Sequence, residues 1–86
     1  MPYTIQIRVE KNSDYYTPPE FEGIHAKYNL TQTIEDDPND SNYMLITNVW
    51  RSKQDSTDAA AEVSYARSIN PDLPRRSYTI VYENEE

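Results

Sequence analysis

Residues 3–10 alternate without a break, with Tyr3, Ile5, Ile7 and Val9 interleaved with Thr4, Gln6, Arg8 and Glu10. A period of two places the first set on one face of a strand and the second on the other, so the chain must build a sheet with one buried face. Ile24 to Ile34 reads as a second strand, with Ile24, Ala26, Tyr28, Leu30 and Ile34 sharing a side. The run Glu35-Asp36-Asp37-Pro38-Asn39-Asp40-Ser41 is rich in side chains that stabilise turns. Beyond it, Tyr43 to Arg51 is apolar on both sides, with Tyr43, Leu45 and Val49 opposite Met44, Ile46 and Trp50. A strand that is apolar on both faces belongs inside a sheet, and strands two and three should pair as an antiparallel hairpin.

The rest of the pattern is helical, then extended. Asp55-Ser56-Thr57-Asp58 offers a capping side chain and early acids that suit the positive end of a helix. Ala59, Val63, Ala66 and Ile69 form an apolar stripe widened by Ala60, and Asn70-Pro71 stops it. A last strand near Arg76–Glu83 has Tyr78, Ile80 and Tyr82 in alternation. The stretch 11–23 contains Pro18-Pro19 and reads as an exposed loop, and 84–86 as a short acidic tail. The predicted fold is α+β: a four-stranded, mainly antiparallel sheet in the order β-β-β-α-β, with one helix packed on one face. The other face must stay polar, be roofed by the 11–23 loop or meet a partner.

The 86 residues suffice for one domain spanning 1–86. Surface scaling predicts that about 64% of the unfolded chain's surface is buried on folding, enough for a cooperative core without a deep pocket. No stretch approaches the roughly 18 apolar residues of a membrane span. The opening Met1-Pro2-Tyr3-Thr4 does not resemble a signal peptide, and cysteine is absent, which favours a reducing, cytoplasmic setting.

Reaction chemistry finds few footholds. One histidine, His25, stands on the polar side of the expected second strand, and no Gly-x-Ser-x-Gly elbow is present. One histidine and no cysteine rule out ordinary zinc geometry. Asp37-x-Asn39-x-Ser41 starts like a calcium loop, yet Asn42 and Asn48 occupy the positions that need glycine and a bidentate glutamate. The single glycine, Gly23, excludes a Gly-rich phosphate loop. No catalytic residue, metal site or cofactor is expected, and an enzyme ranks last among the readings.

Fifteen acids against eight bases give a net charge of −7, which disfavours direct binding to nucleic acid or anionic membranes. It suits a protein partner with a basic surface. Asp55, Asp58 and Glu62 share a helix face at i, i+3 and i+7, and Asp36, Asp37 and Asp40 crowd one turn. Tyr15, Tyr16 and Phe21 lie in the proline-stiffened loop, where binding costs little ordering. These nine residues are the candidate partner-binding set. The leading expectation is a non-catalytic interaction module, of the kind a phage or accessory protein uses to modulate a host protein. The alternatives are an acidic nucleic-acid mimic that inhibits a basic nucleic-acid-processing enzyme, and a small structural subunit of a homo-oligomer built through an edge strand.

Overall fold

The alternation at residues 3–10 builds β1 (Tyr3–Glu10), whose inward residues Tyr3 and Val9 are buried at its two ends. The computed structural model describes residues 1–11, 19–73 and 78–85. After β1 come α1 (Pro19–Lys27), β2 (Thr31–Asp36), β3 (Tyr43–Trp50), α2 (Lys53–Ile69) and β4 (Tyr78–Glu85). The four strands form one antiparallel sheet in the order β2-β3-β1-β4. The α+β class, the four-stranded antiparallel sheet, the β2–β3 hairpin and the interior position of β3 all follow the sequence pattern.

Among the described residues, two helices cover the sheet where one was expected, so the order is β-α-β-β-α-β. The extra helix takes the end of the expected loop 11–23 and the first half of the expected second strand. Phe21, Ile24 and Tyr28 recur at i, i+3 and i+7, a helical stripe that competes with the two-residue alternation of the same segment. Pro19 starts the helix, where its missing N–H costs nothing. Asn29 ends it in the left-handed region at φ 53°. The Leu30 N–H donates to the His25 carbonyl (2.9 Å) and the Asn29 N–H to the Ala26 carbonyl (3.2 Å), the paired bonds that close a helix after a left-handed residue.

The cap of α2 is Ser52, three residues before Asp55, where the expected helix opens. Ser52, in extended geometry, accepts the Asp55 N–H at 3.1 Å, and the Asn70 N–H closes the far end on the Ala66 carbonyl. Both helices lie on the Tyr3 side of the sheet, where Tyr3, Trp50 and Ala59 form a buried cluster with Ile5, Ile24, Tyr28 and Leu30 against it. Val9, Met44 and Ile46 form a second cluster toward the other end of the same face, with Ile7 beside them.

The register draws a row of isoleucines across all four strands: Ile34 beside Ile46, Ile46 beside Ile7, Ile7 beside Ile80. A bulge in β4 follows. Ile80 stands opposite Ile7 but Tyr82 opposite Gln6, with Val81 the extra residue. The alternation of Tyr78, Ile80 and Tyr82 therefore breaks, and Tyr82 turns to the face away from the helices.

Candidate functional site

Tyr3 and Trp50 are cross-strand partners at the end of the sheet where β1 begins and β3 ends. Met1, Ser52, Lys53, Gln54 and Thr57, together with Glu85 from the end of β4, line an open groove of about 490 Å³ there. The sequence dictates this meeting. β3 feeds α2 through only Arg51 and Ser52, so the first turn of α2 lands beside the start of β1, and the antiparallel register brings Glu85 next to Tyr3. The Lys53 ammonium lies 6.0 Å from the Tyr3 ring centroid. The Tyr3 hydroxyl donates to Glu83 Oε2 at 2.9 Å. Burial first, then Glu83 and Glu85, push the Tyr3 phenol above its ordinary range, so this ring keeps its proton.

Behind the groove, His25 meets Trp50 edge-on, with ring centroids 6.4 Å apart at 84°. It sits half-buried on α1 and not on the polar side of a strand. Burial lowers its pKa against a smaller opposing pull from Glu22, so the neutral imidazole is favoured. Glu62 on α2 ties the two helices together: it accepts from the Tyr28 hydroxyl and from Lys27 Nζ at 3.1 Å. The Tyr28 bond, then Lys27, hold its carboxyl below the usual glutamate range.

The nine nominated residues divide differently from expectation. Tyr15 and Tyr16 lie outside the described residues. Phe21 is buried on α1 under the Arg67 guanidinium, 5.3 Å from its ring, and is a packing residue and not an exposed loop ring. Asp37 accepts from Arg8 Nε at 2.8 Å and from the Asn39 N–H, and Arg8 also reaches Asp40 at 3.4 Å while stacking 3.7 Å over Tyr43. Lys11 pairs with Asp36 at 2.8 Å. On α2, Arg51 pairs with Asp55 at 3.0 Å, and Gln54 donates to Asp58 at 2.8 Å. The turn acids therefore close the β2–β3 hairpin onto β1, and the helix acids serve the first turns of α2 and its junction with α1. The two groups occupy opposite ends of β3.

The groove residues were missed because none carries a catalytic signature. One signal was present: Ser52-Lys53-Gln54-Asp55 has the spacing of a capping pair and marks the helix start at Lys53. Among the described residues, no group of three or more His, Cys, Asp or Glu side chains is placed to hold a metal ion. No described helix is long and apolar enough to cross a membrane.

No protein-family model matches the chain, and no curated protein matches it by sequence. Among solved structures, it is similar to a "putative antibiotic biosynthesis monooxygenase" from Chloroflexus aurantiacus J-10-fl, at a TM-score of 0.50 and 16% identity. The match covers 100% of this chain and 91% of the other. At that identity the likeness shows the fold, a ferredoxin-like β-α-β-β-α-β arrangement. It corrects the leading expectation of a non-catalytic interaction module and its mimic and structural-subunit alternatives. The fold, over nearly its whole extent, is one carried by a protein described as a monooxygenase.

Proposed function

We propose that this chain is a small-molecule enzyme that oxygenates an electron-rich aromatic compound held in the groove beside Tyr3. The observation that carries this reading is the end-to-end likeness of fold to the monooxygenase-described protein. The groove supports it independently. Its volume falls in the range of small-ligand sites, roughly 300–1,000 Å³. It sets the Lys53 ammonium among the polar side chains of Ser52, Gln54, Thr57 and Glu85, with the Tyr3 ring 6.0 Å from that ammonium.

The chemistry needs a substrate that supplies its own electrons. A phenol with a free para C–H, such as 1-naphthol, reacts with O₂ to give the para-quinone and water. One oxygen atom enters the ring carbon and the other leaves with the two hydrogens lost from O–H and C–H. In this reading the Lys53 ammonium attracts the phenolic oxygen and favours its ionised, more oxidisable form. Glu85 is the carboxylate beside the groove that receives the proton. Tyr3, kept protonated, stands beside Lys53 and anchors Glu83. The cysteine-free composition supports a reducing, cytoplasmic setting for such a reaction.

The test is oxygen uptake by the purified chain with 1-naphthol and related phenols, with ¹⁸O₂ label followed into the quinone by mass spectrometry. Protein-dependent uptake, labelled product and about a 10- to 100-fold lower kcat/KM in Lys53→Ala are expected. No uptake above buffer across the phenol series overturns the reading.

A further inference from the structure

Four of the described basic side chains are tied to acids. Arg8 meets Asp37 at 2.8 Å, Lys11 meets Asp36 at 2.8 Å, Lys27 meets Glu62 at 3.1 Å and Arg51 meets Asp55 at 3.0 Å. Lys53 differs. It is in no ion pair among the described residues, although acids outnumber bases by fifteen to eight in the sequence, and its ammonium has only the Tyr3 ring at 6.0 Å. Glu85 lines the same groove and is likewise in no ion pair among the described residues. Glu83, two residues earlier, is already engaged by the Tyr3 hydroxyl at 2.9 Å. The groove therefore has a cation and an anion among its lining residues that do not neutralise each other.

We propose that the groove takes a dipolar ligand, a phenol that also carries an amine, with the phenolic oxygen toward Lys53 and the protonated amine toward Glu85. This inference rests on the reading of the groove as a phenol site and adds the chemical class of the phenol. A ring without a second polar group answers only the cation, and a ring bearing a carboxylate would set like charge beside Glu85. An ammonium group leaves neither lining charge without a counterpart. It also agrees with the field of the whole chain, whose net charge of −7 draws cations toward the surface. Glu85 keeps its part as proton acceptor, since a carboxylate has two oxygens and one N–H occupies one of them. Met1, also in the groove, offers a thioether side chain to the ring.

The test is NMR titration of the full chain under argon with 1-naphthol derivatives that carry aminomethyl, hydroxymethyl or carboxyl at the far ring position 5. The aminomethyl compound should bind about fivefold tighter than the neutral hydroxymethyl one, the scale of one partly exposed ion pair, and the carboxyl compound most weakly. Glu85→Gln should bring the amine-to-neutral ratio to about one. Glu10→Gln, which removes an exposed acid at the far end of β1, should leave that ratio unchanged and so separates the local charge from the overall field. Added salt on the unmodified chain keeps the test independent of variant folding, because the amine preference should shrink as screening rises. No amine preference, one that survives Glu85→Gln, or one lost equally in Glu10→Gln overturns the proposal. Binding is read apart from turnover. The expected order of affinities with no oxygen uptake in air would uphold this inference and overturn the oxygenase reading, and turnover of 1-naphthol without an amine preference would overturn this inference alone.

Discussion

The two ends of the sheet are held by different physics. At the end where β1 begins, the Tyr3 and Trp50 rings pack with Ala59 beneath both helices, and polar groups line the groove beside them. At the other end the small aliphatic cluster of Val9, Met44 and Ile46 is closed by a charged clasp: Arg8 stacked on Tyr43 and bonded to Asp37 and Asp40. The aromatic end leaves an open groove with a cation beside it. The clasped end spends its charges on itself, which is why the crowd of acids in the β2–β3 turn is a hairpin closure.

That contrast can be broken by truncation. Trp50→Ala should destabilise by about 3–5 kcal/mol, because it empties the ring that Tyr3, His25 and Ala59 surround. Met44→Ala should cost about 2–4 kcal/mol, a smaller cavity in a cluster without rings. Urea titration of the two variants measures the difference, and equal losses would show that both ends share one core. Ser52→Ala should cost about 1 kcal/mol, since it strips the cap that fixes the first turn of α2 at the groove. Gly23→Ala should stabilise by about 0.5–1 kcal/mol: the position is helical and a methyl group there meets nothing within 4 Å. A rise in thermal midpoint checks it.

The smallest effect is the most specific, a difference in pH response between the ends. His25 has a folded pKa below its unfolded value of about 6.5, so its stabilising share is present above that pH and is lost as pH falls through the folded value. Asp37 is also lowered, by the Asn39 N–H first and then by Arg8, and its share is kept above about pH 4 and lost below it. Acidification should therefore loosen the aromatic end first and the clasp later. Stability followed from pH 8 to 3 should show two steps, with His25→Phe removing the upper and Asp37→Asn the lower.

What was legible in the sequence follows from how many periods fit each segment. Residues 3–10 alternate strictly, and residues 43–50 form a short run apolar on both faces between a turn and a polar link, too short for a typical helix, so β1 and β3 emerged nearly to the residue. Residues 19–30 satisfy both periods. Phe21 is the first member of the helical stripe but follows Pro18-Pro19, a pair that suggests a loop, whereas Pro19 stands as a helix start. The misreading of His25 follows directly, because a strand there turns it to solvent and a helix turns it to Trp50. The bulge at Val81 has no local sign, since it comes from pairing with β1. The groove was illegible for a related reason: its residues come from three places in the chain that only the β3–α2 connection and the β1–β4 register bring together.

The central claim is that small-molecule chemistry belongs to the aromatic end. An NMR titration of the labelled chain with 1-naphthol, kept under argon so that no turnover intervenes, tests it residue by residue. The expected result is saturable shifts at Tyr3, Lys53, Gln54, Thr57 and Glu85, with Arg8, Asp37 and Asp40 unmoved. Shifts confined to the clasped end, or none at saturating ligand, would contradict it.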